Sequence, residues 1–413
     1  MRKALLGRCA LGGALVLSGS VSLGAVAAAP ASAAPSPITI GFVSDITGVA
    51  ASTFQDSPGG AQARIALQNS RGGVDGHKLK LVVEDDQSSP TTNLTVSEDL
   101  VQNKGAFGVI DYSAFTFGGY KYLQQQGVPV TGGGFDGPEW NAQPNVNMFD
   151  TGPPLDGLIN GHYYAAEPTS IYKTLGIHKI AGLAYGISQS SQQSIKSIFS
   201  LLPPGDKCYE NLSVPFGGVD FTADVLQVKQ AGCDTVIGSF VDASDIALSQ
   251  AVKNAGIKAK QIYFTGYDQN VLGSPSARAA ADGDYFTAGI NFTTPNAATQ
   301  AMLNALKKYD PNYKGGIPDY GLYGTYLAAD LMIKGLELAG KNPTRAAFIR
   351  NLRKVKSYDA GGILPGNTRF TGFGTTGIVP RTLCGYYMQL VGDQFHVVTG
   401  KAICGKAVAV GPS

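Results

Sequence analysis

The alternation of short apolar runs with helical segments constrains this 413-residue chain more than any other feature. Residues 106–110 form an apolar run that breaks at a polar loop, 111–116. A helix is expected over 117–126. A second run, 128–130, breaks at 131–136. Short apolar runs separated by a helix predict parallel strands joined by a crossover. The unit also occurs upstream, with strands expected at 38–43 and 78–83 and helices at 60–70 and 89–104. Ser89-Pro90 sets an N-cap residue ahead of a proline at the first helical position, and Gly105 stops that helix. The segment therefore reads β-α-β-α-β-α-β, a doubly wound parallel sheet.

A crossing segment at 147–152 comes next, and then the pattern restarts. Helices at 155–175, 191–201, 222–231 and 242–255 alternate with strands at 179–185, 208–214, 235–240 and 261–265. Asp242 with Asp245 reads as an N-cap followed by a carboxylate three residues on. A second crossing is expected at 284–292. Helices follow at 297–309, 319–339 and 344–355, then a Gly-rich crossing at 361–370 and a closing hairpin at 385–398. The expected fold class is α/β: two doubly wound lobes joined by three crossing segments, a clam-shell with a cleft. Lobe 1 takes residues 36–151 and 290–370, and lobe 2 takes 152–289 and 371–405.

Residues 1–33 read as a signal peptide. Arg2, Lys3 and Arg8 form a basic start, a long apolar stretch follows, and Ala31-Ser32-Ala33 is a cleavage pattern. Its removal takes three of the 32 basic residues and none of the 30 acidic ones, leaving a net charge of about −1. That balance argues against a nucleic-acid partner and against a polybasic membrane anchor. No later stretch is long and apolar enough to span a membrane. Arg8 precedes Cys9 and the apolar stretch lies after it, the wrong order for a lipoprotein cysteine. The expectation is a secreted, extracytoplasmic protein with no lipid anchor.

Four cysteines remain, Cys208, Cys233, Cys384 and Cys404. Outside the cytoplasm an even count predicts two disulfides, with three connectivities open. Cys208 starts one expected strand and Cys233 immediately precedes the next, so parallel neighbours would set them side by side. Cys384 and Cys404 flank the hairpin that turns near Gly392-Asp393. The expected pairs are Cys208–Cys233 and Cys384–Cys404. CxxC spacing is absent, as is HxxxH among only four histidines, so neither a metal nor another cofactor is expected. Gly186-Ile187-Ser188-Gln189-Ser190 lacks the final glycine of a nucleophile elbow. The paired acids Asp85-Asp86 read as loop residues that bond nearby backbone, in preference to an acid/base pair.

In an open parallel sheet ligands sit outside the carboxyl ends of the strands. The loop at 111–116 falls there and offers hydroxyls, Ser113 and Thr116, and a helix N-terminus that favours an anion. The loop at 131–136 offers Gly132-Gly133-Gly134, where a ligand can approach bare backbone N–H groups, although a flexible turn uses glycine equally well. Phe115, Phe135, Trp140 and Tyr267 are loop aromatics suited to a cleft wall.

The order and spacing of these pieces resemble the solute-binding proteins of branched-chain amino acid ABC transporters, in the type I periplasmic binding fold. The resemblance rests on Ile40-Gly41-Phe42 with Thr47-Gly48, on the turn from Asn69 to Gly76, and on Glu84-Asp85-Asp86. Ala255-Gly256-Ile257 and Tyr320-Gly321-Leu322-Tyr323 add to it. It implies a non-enzymatic binding protein that closes on a small carboxylate or amino-acid-like ligand and hands it to a membrane permease. It implies ligand contacts at Ser113, Ala114, Thr116, Gly133, Gly134 and Phe135 on one lobe. On the other it implies Phe240, Val241 and Asp268, the last as an ammonium partner. Phe135 stands where amino-acid binders often carry threonine, which points to a bulkier or more apolar ligand. The competing readings are a sensor on the same fold without a transporter, and a secreted hydrolase.

Overall fold

A computed structural model describes residues 35–140, 145–151, 163–166, 169–203, 205–371 and 382–410. The expected signal peptide, residues 1–33, lies outside the described residues, as do the end of the first expected crossing at 152 and the start of the helix expected at 155–175. The chain opens with β1 (Ile38–Ser44), short α1 (Ala51–Phe54) and α2 (Ser57–Ser70). It continues through β2 (Leu79–Asp85), α3 (Pro90–Gln102), β3 (Gly108–Tyr112), α4 (Tyr120–Gln125), β4 (Val130–Gly132) and β5 (Met148–Asp150). These strands form a parallel sheet in the order β2-β1-β3-β4-β5. The start of α3 follows its sequence signal, with the Thr92 N–H donating to the Ser89 hydroxyl oxygen. The segment read as a crossing at 147–152 supplies β5, the edge strand: Met148, Phe149 and Asp150 pair with β4 and are fully buried.

The second sheet is built from β6 (Tyr163–Ala166), α5 (Thr169–Leu175), β7 (Ile180–Tyr185), α6 (Gln189–Leu201), β8 (Lys207–Val214) and α7 (Thr222–Ala231). It goes on with β9 (Thr235–Ser239), α8 (Asp242–Asn254), β10 (Lys260–Tyr263), α9 (Gln269–Gly273), α10 (Pro275–Ala281) and β11 (Tyr285–Ala288). The chain then returns to the first sheet with α11 (Ala297–Tyr309), α12 (Tyr320–Ala339) and α13 (Arg345–Leu352), and ends in β12 (Thr382–Val391), β13 (Gln394–Val397) and β14 (Ile403–Val410). The second sheet runs β6-β14-β12-β11-β10-β9-β7-β8, with β13 paired to β12. The helix expected at 155–175 is corrected in part: residues 163–166 are a strand held by antiparallel pairing with β14, a partner almost 250 residues away that no local pattern announces.

Helix α12 is buried on most of its surface because it lies on α2 and across β3 and β4. Glycines permit the approach. A Cβ on Gly60 of α2 would stand 1.9 Å from the Leu322 carbonyl oxygen, and one on Gly324 would stand 1.9 Å from the Tyr112 hydroxyl.

Both expected disulfides are present, but one forms for a different reason than expected. Strands β8 and β9 are not neighbours, because β7 runs between them. Cys208 instead lies against the end of α7, beside the Ala231 carbonyl, and the bridge ties the edge strand to that helix end. Cys384 and Cys404 are directly opposed on antiparallel β12 and β14, not on the two arms of the β12–β13 hairpin.

Candidate functional site

The carboxyl ends of β1, β3 and β4 bring three loops together, and the first lobe's expected contacts lie there. Ser113, the residue after β3, is buried, and its hydroxyl donates to Asp86. The Ala114 N–H donates to Asp45 at 2.8 Å, and the Phe115 N–H donates back to the Ser113 oxygen at 2.8 Å. The Thr116 hydroxyl donates to Asp111 at 2.7 Å, and the Phe117 N–H donates to Asp136 at 3.1 Å. The loop's donors are thus directed at the protein's own carboxyl groups. Asp45, Asp86, Asp111 and Asp136 are all buried. Burial raises each above the ordinary carboxylate range, Asp45 to about 8 by burial and then by Asp86. Asp45 was not singled out from the sequence. What reveals it is strand pairing: it follows central β1, which pairs on one side with the strand leading to Asp85-Asp86 and on the other with the strand leading to Ser113.

The paired acids do bond loop backbone. Asp85 accepts from the Thr47 and Gln87 N–H groups, and Asp86 from Ser88 N–H and from the Asn93 amide. Among the described residues no cluster of metal-ligating side chains occurs.

The glycine loop is also closed over. Gly134 has φ +43, and a Cβ there would collide with Asp150. At Gly133 the space of a Cβ is taken by the Phe135 ring, 1.9 Å away. Phe135 therefore packs against one side of Gly133, which stays half-buried. Its ring stacks on Phe54 (5.5 Å) and meets Tyr112 (5.0 Å) and Tyr320 (5.5 Å). Tyr320 touches Tyr323, and Tyr323 touches Phe292, so an aromatic wall runs from the first lobe toward the second.

On the second lobe, Phe240 and Val241 follow β9 and are buried. The Phe240 ring lies 4.6 Å from Tyr185, and the Val241 N–H donates to the Tyr185 hydroxyl. Phe216 connects Tyr185 to Phe115 of the first lobe, with centroids 4.4 and 4.9 Å apart. Asp242 is not the expected N-cap of α8. Val241 holds that place without a side-chain bond, and the cap comes from the other lobe. The Thr53 hydroxyl oxygen accepts from the Asp242 N–H at 3.0 Å, and the Ser52 hydroxyl oxygen from the Ala243 N–H at 3.3 Å.

Asp268 is fully buried and caps α9, accepting from the Val271 N–H at 2.8 Å. Its other oxygen has no hydrogen-bond partner, and neither oxygen of Asp242 has one. Burial first, and then the charge of Asp268, raise Asp242 well above the usual range. Asp319 is raised by burial, with Asp56 and Asp268 adding repulsion. Burial likewise raises Asp268. The five ion pairs found among the described residues involve none of Asp56, Asp242, Asp268 and Asp319. Beside this cleft, a cavity of about 530 Å³ spans the lobes, with Phe117, Lys121 and Glu139 on one side and Ile187 and Gln189 on the other.

Two α/β lobes meeting through loops at their strand ends are the geometry of a binding protein, and the sequence agrees. The periplasmic binding protein family model matches residues 37–391. The chain belongs to the periplasmic binding protein family. Leu/Ile/Val-binding protein homolog 3 of Brucella melitensis is 25% identical to this periplasmic binding protein over 345 residues, 80% of this chain and 86% of the relative. LivJ of Streptococcus pneumoniae, a branched-chain amino acid transporter substrate-binding protein solved with isoleucine, has a TM-score of 0.69 at 19% identity. The match covers 90% of this chain and 99% of that one. A solute-binding protein of an R. palustris ABC transporter, solved with benzoate, has a TM-score of 0.71 at 18% identity and covers 91% and 98%. The solved structures share the fold. Members of this family bind solutes and are not enzymes, which removes the hydrolase reading.

Proposed function

We propose that this periplasmic binding protein captures a small organic ligand between its lobes, outside the cytoplasm, and delivers it to the permease of an ABC importer. One observation supports the reading: hydroxyls of Ser52 and Thr53 on the first lobe cap helix α8 of the second, a contact that hinge closure of the lobes would make. The lobe boundaries at 36–151 with 290–370, and at 152–289 with 371–405, are part of this reading. So are a cleaved signal peptide and the absence of a lipid anchor. Among the described residues no helix is long and apolar enough to cross a membrane.

The ligand lies against the Phe54, Phe135, Tyr320 and Tyr323 wall, near Phe240 and Val241, and turns a cationic or hydrogen-donating group toward Asp268 and Asp242. Two buried acids with unpaired oxygens favour such a group, because it relieves both the missing hydrogen bonds and the repulsion. The ligands of the two solved structures, isoleucine and benzoate, each carry an apolar body. Identifying the small molecule that co-purifies, then adding it back during solution scattering, tests the proposal. Ligand should shrink the protein. At ~100 times its dissociation constant it should add about 2.7 kcal/mol of stability. A confirmed ligand that leaves the scattering profile unchanged counts against closure. Uptake unaffected by deleting the protein counts against the importer.

A further inference from the structure

We infer that Asp45 decides which charge this cleft accepts: by holding the Ala114 N–H it stands in for a ligand carboxylate, so the cleft takes small amines or uncharged molecules in place of amino acids and organic acids. The inference rests on the cleft reading above and sharpens its ligand class.

Three observations carry it. First, the donors of the loop after β3 are used internally. Ser113 hydroxyl goes to Asp86, Ala114 N–H to Asp45, Phe115 N–H to the Ser113 oxygen, Thr116 hydroxyl to Asp111 and Phe117 N–H to Asp136. A carboxylate arriving there would have to displace a tethered acceptor from each donor it wanted. Second, Asp45 and Asp86 are buried side by side, so an arriving anion would add a third carboxyl group to two already in contact with low-dielectric surroundings. Third, Asp45 is an expensive residue to keep. Its second oxygen is buried and accepts no well-directed hydrogen bond, although the Ser88 and Ser113 side chains lie near the carboxyl, so the group costs stability where it stands. The neighbouring glycine loop leaves little room for a replacement, because Gly132 and Gly134 are buried and the Phe135 ring packs on one side of Gly133.

The position of Asp45 explains how one side chain does this. It leaves the carboxyl end of β1, the strand flanked by β2 and β3. It therefore rises between the Asp85-Asp86 loop and the Ser113-Ala114 loop, within reach of the Ala114 N–H. The adjacent Ser44 hydroxyl fixes that edge by donating to the Tyr112 carbonyl at 2.7 Å.

The test uses matched probes that differ only in a carboxylate: phenethylamine against L-phenylalanine, and isoamylamine against L-leucine, with benzamide against benzoate as an uncharged pair. Titration calorimetry on the purified protein should show the carboxylate-free member of at least one pair binding at least tenfold more tightly. Asp45→Ala frees the Ala114 N–H and should move that ratio at least tenfold toward the carboxylate. Asp45→Asn keeps an amide oxygen on the Ala114 N–H and should hold the ratio within threefold of wild type. Wild-type protein that binds the carboxylate member of a pair as tightly as its partner overturns the inference and leaves the binding-protein reading intact. An unchanged ratio in Asp45→Ala does the same. If that variant does not fold, the wild-type ratios and Asp45→Ser decide the matter. Absence of binding by all six compounds overturns the amine or neutral class, whereas a co-purified ligand that still shrinks the protein would keep the cleft reading.

Discussion

The two faces of the cleft differ in what they leave unpaired. On the first lobe the donors around Ser113 are consumed by Asp45, Asp86, Asp111 and Asp136. On the second lobe both oxygens of Asp242 and one of Asp268 lack donors, as do one oxygen each of Asp45 and Asp111 on the first. On the proposed reading a ligand therefore meets an aromatic surface whose loop donors are already taken on one side and open carboxyl acceptors on the other. The difference teaches that recognition in a two-lobed cleft need not be shared evenly. On that reading the first face supplies shape and the second supplies the polar contact.

The largest expected effect probes the first face by pH. The Asp45 carboxyl sits at about 8 in the folded protein, raised by burial and by Asp86. The folded state keeps a proton that the unfolded chain releases near pH 4. This group's contribution is therefore fully present below about pH 4 and is lost as pH rises toward 8. Asp45→Asn has no proton to lose. Urea unfolding at pH 5, 7 and 9 should show the variant gaining on wild type as pH rises, by at most about 1.4 kcal/mol per unit. A gap that does not move with pH would mean that Asp45 is ionised at neutrality.

The next probes the second face. Asp268→Asn should weaken an amine ligand ten- to a hundredfold, the loss of a charge-assisted bond of about 1.5–3 kcal/mol. Calorimetry with phenethylamine or the co-purified ligand checks it. Stronger binding by the variant would show that the pair holds no cation.

A smaller effect is expected at the contact between the faces. Thr53→Val removes the hydroxyl that caps α8 across the lobes, about 1 kcal/mol, and should weaken any ligand that needs closure about fivefold. Unchanged affinity, with unchanged scattering of the bound state, would show that this contact does not contribute to closing.

The smallest ligand effect should come from Ser113→Ala. Amine affinity should stay within about twofold, while stability falls by about 1 kcal/mol because buried Asp86 loses a donor. A tenfold loss of affinity would return Ser113 to the ligand and blur the contrast between the faces.

Much of the architecture was legible because it is written locally. Helix α7 ends at Gly232, which adopts the left-handed φ of 68 that glycine tolerates, and α11 starts where the Asn296 side chain accepts from the Thr299 N–H. Strand β6 was not legible, since its identity depends on β14. The cap of α8 was misassigned for a similar reason: its oxygens come from another lobe. At the site, sequence located the right loops but not what fills them. Asp45 looks like any polar residue after a strand, and only the pairing of β1 between β2 and β3 brings it to Ala114.

The pairing of β14 with both β6 and β12 bears on how the molecule is made. The second sheet begins at Tyr163 and is completed only by strands that start at Thr382. The first sheet, laid down earliest, waits for α12 to cover β3 and β4. A chain that emerges N-terminus first can therefore finish neither lobe until its late segments appear. Both sheets stay incomplete until those segments have been made. The Cys384–Cys404 bridge then ties β14 covalently to β12, the strand beside it in the completed sheet.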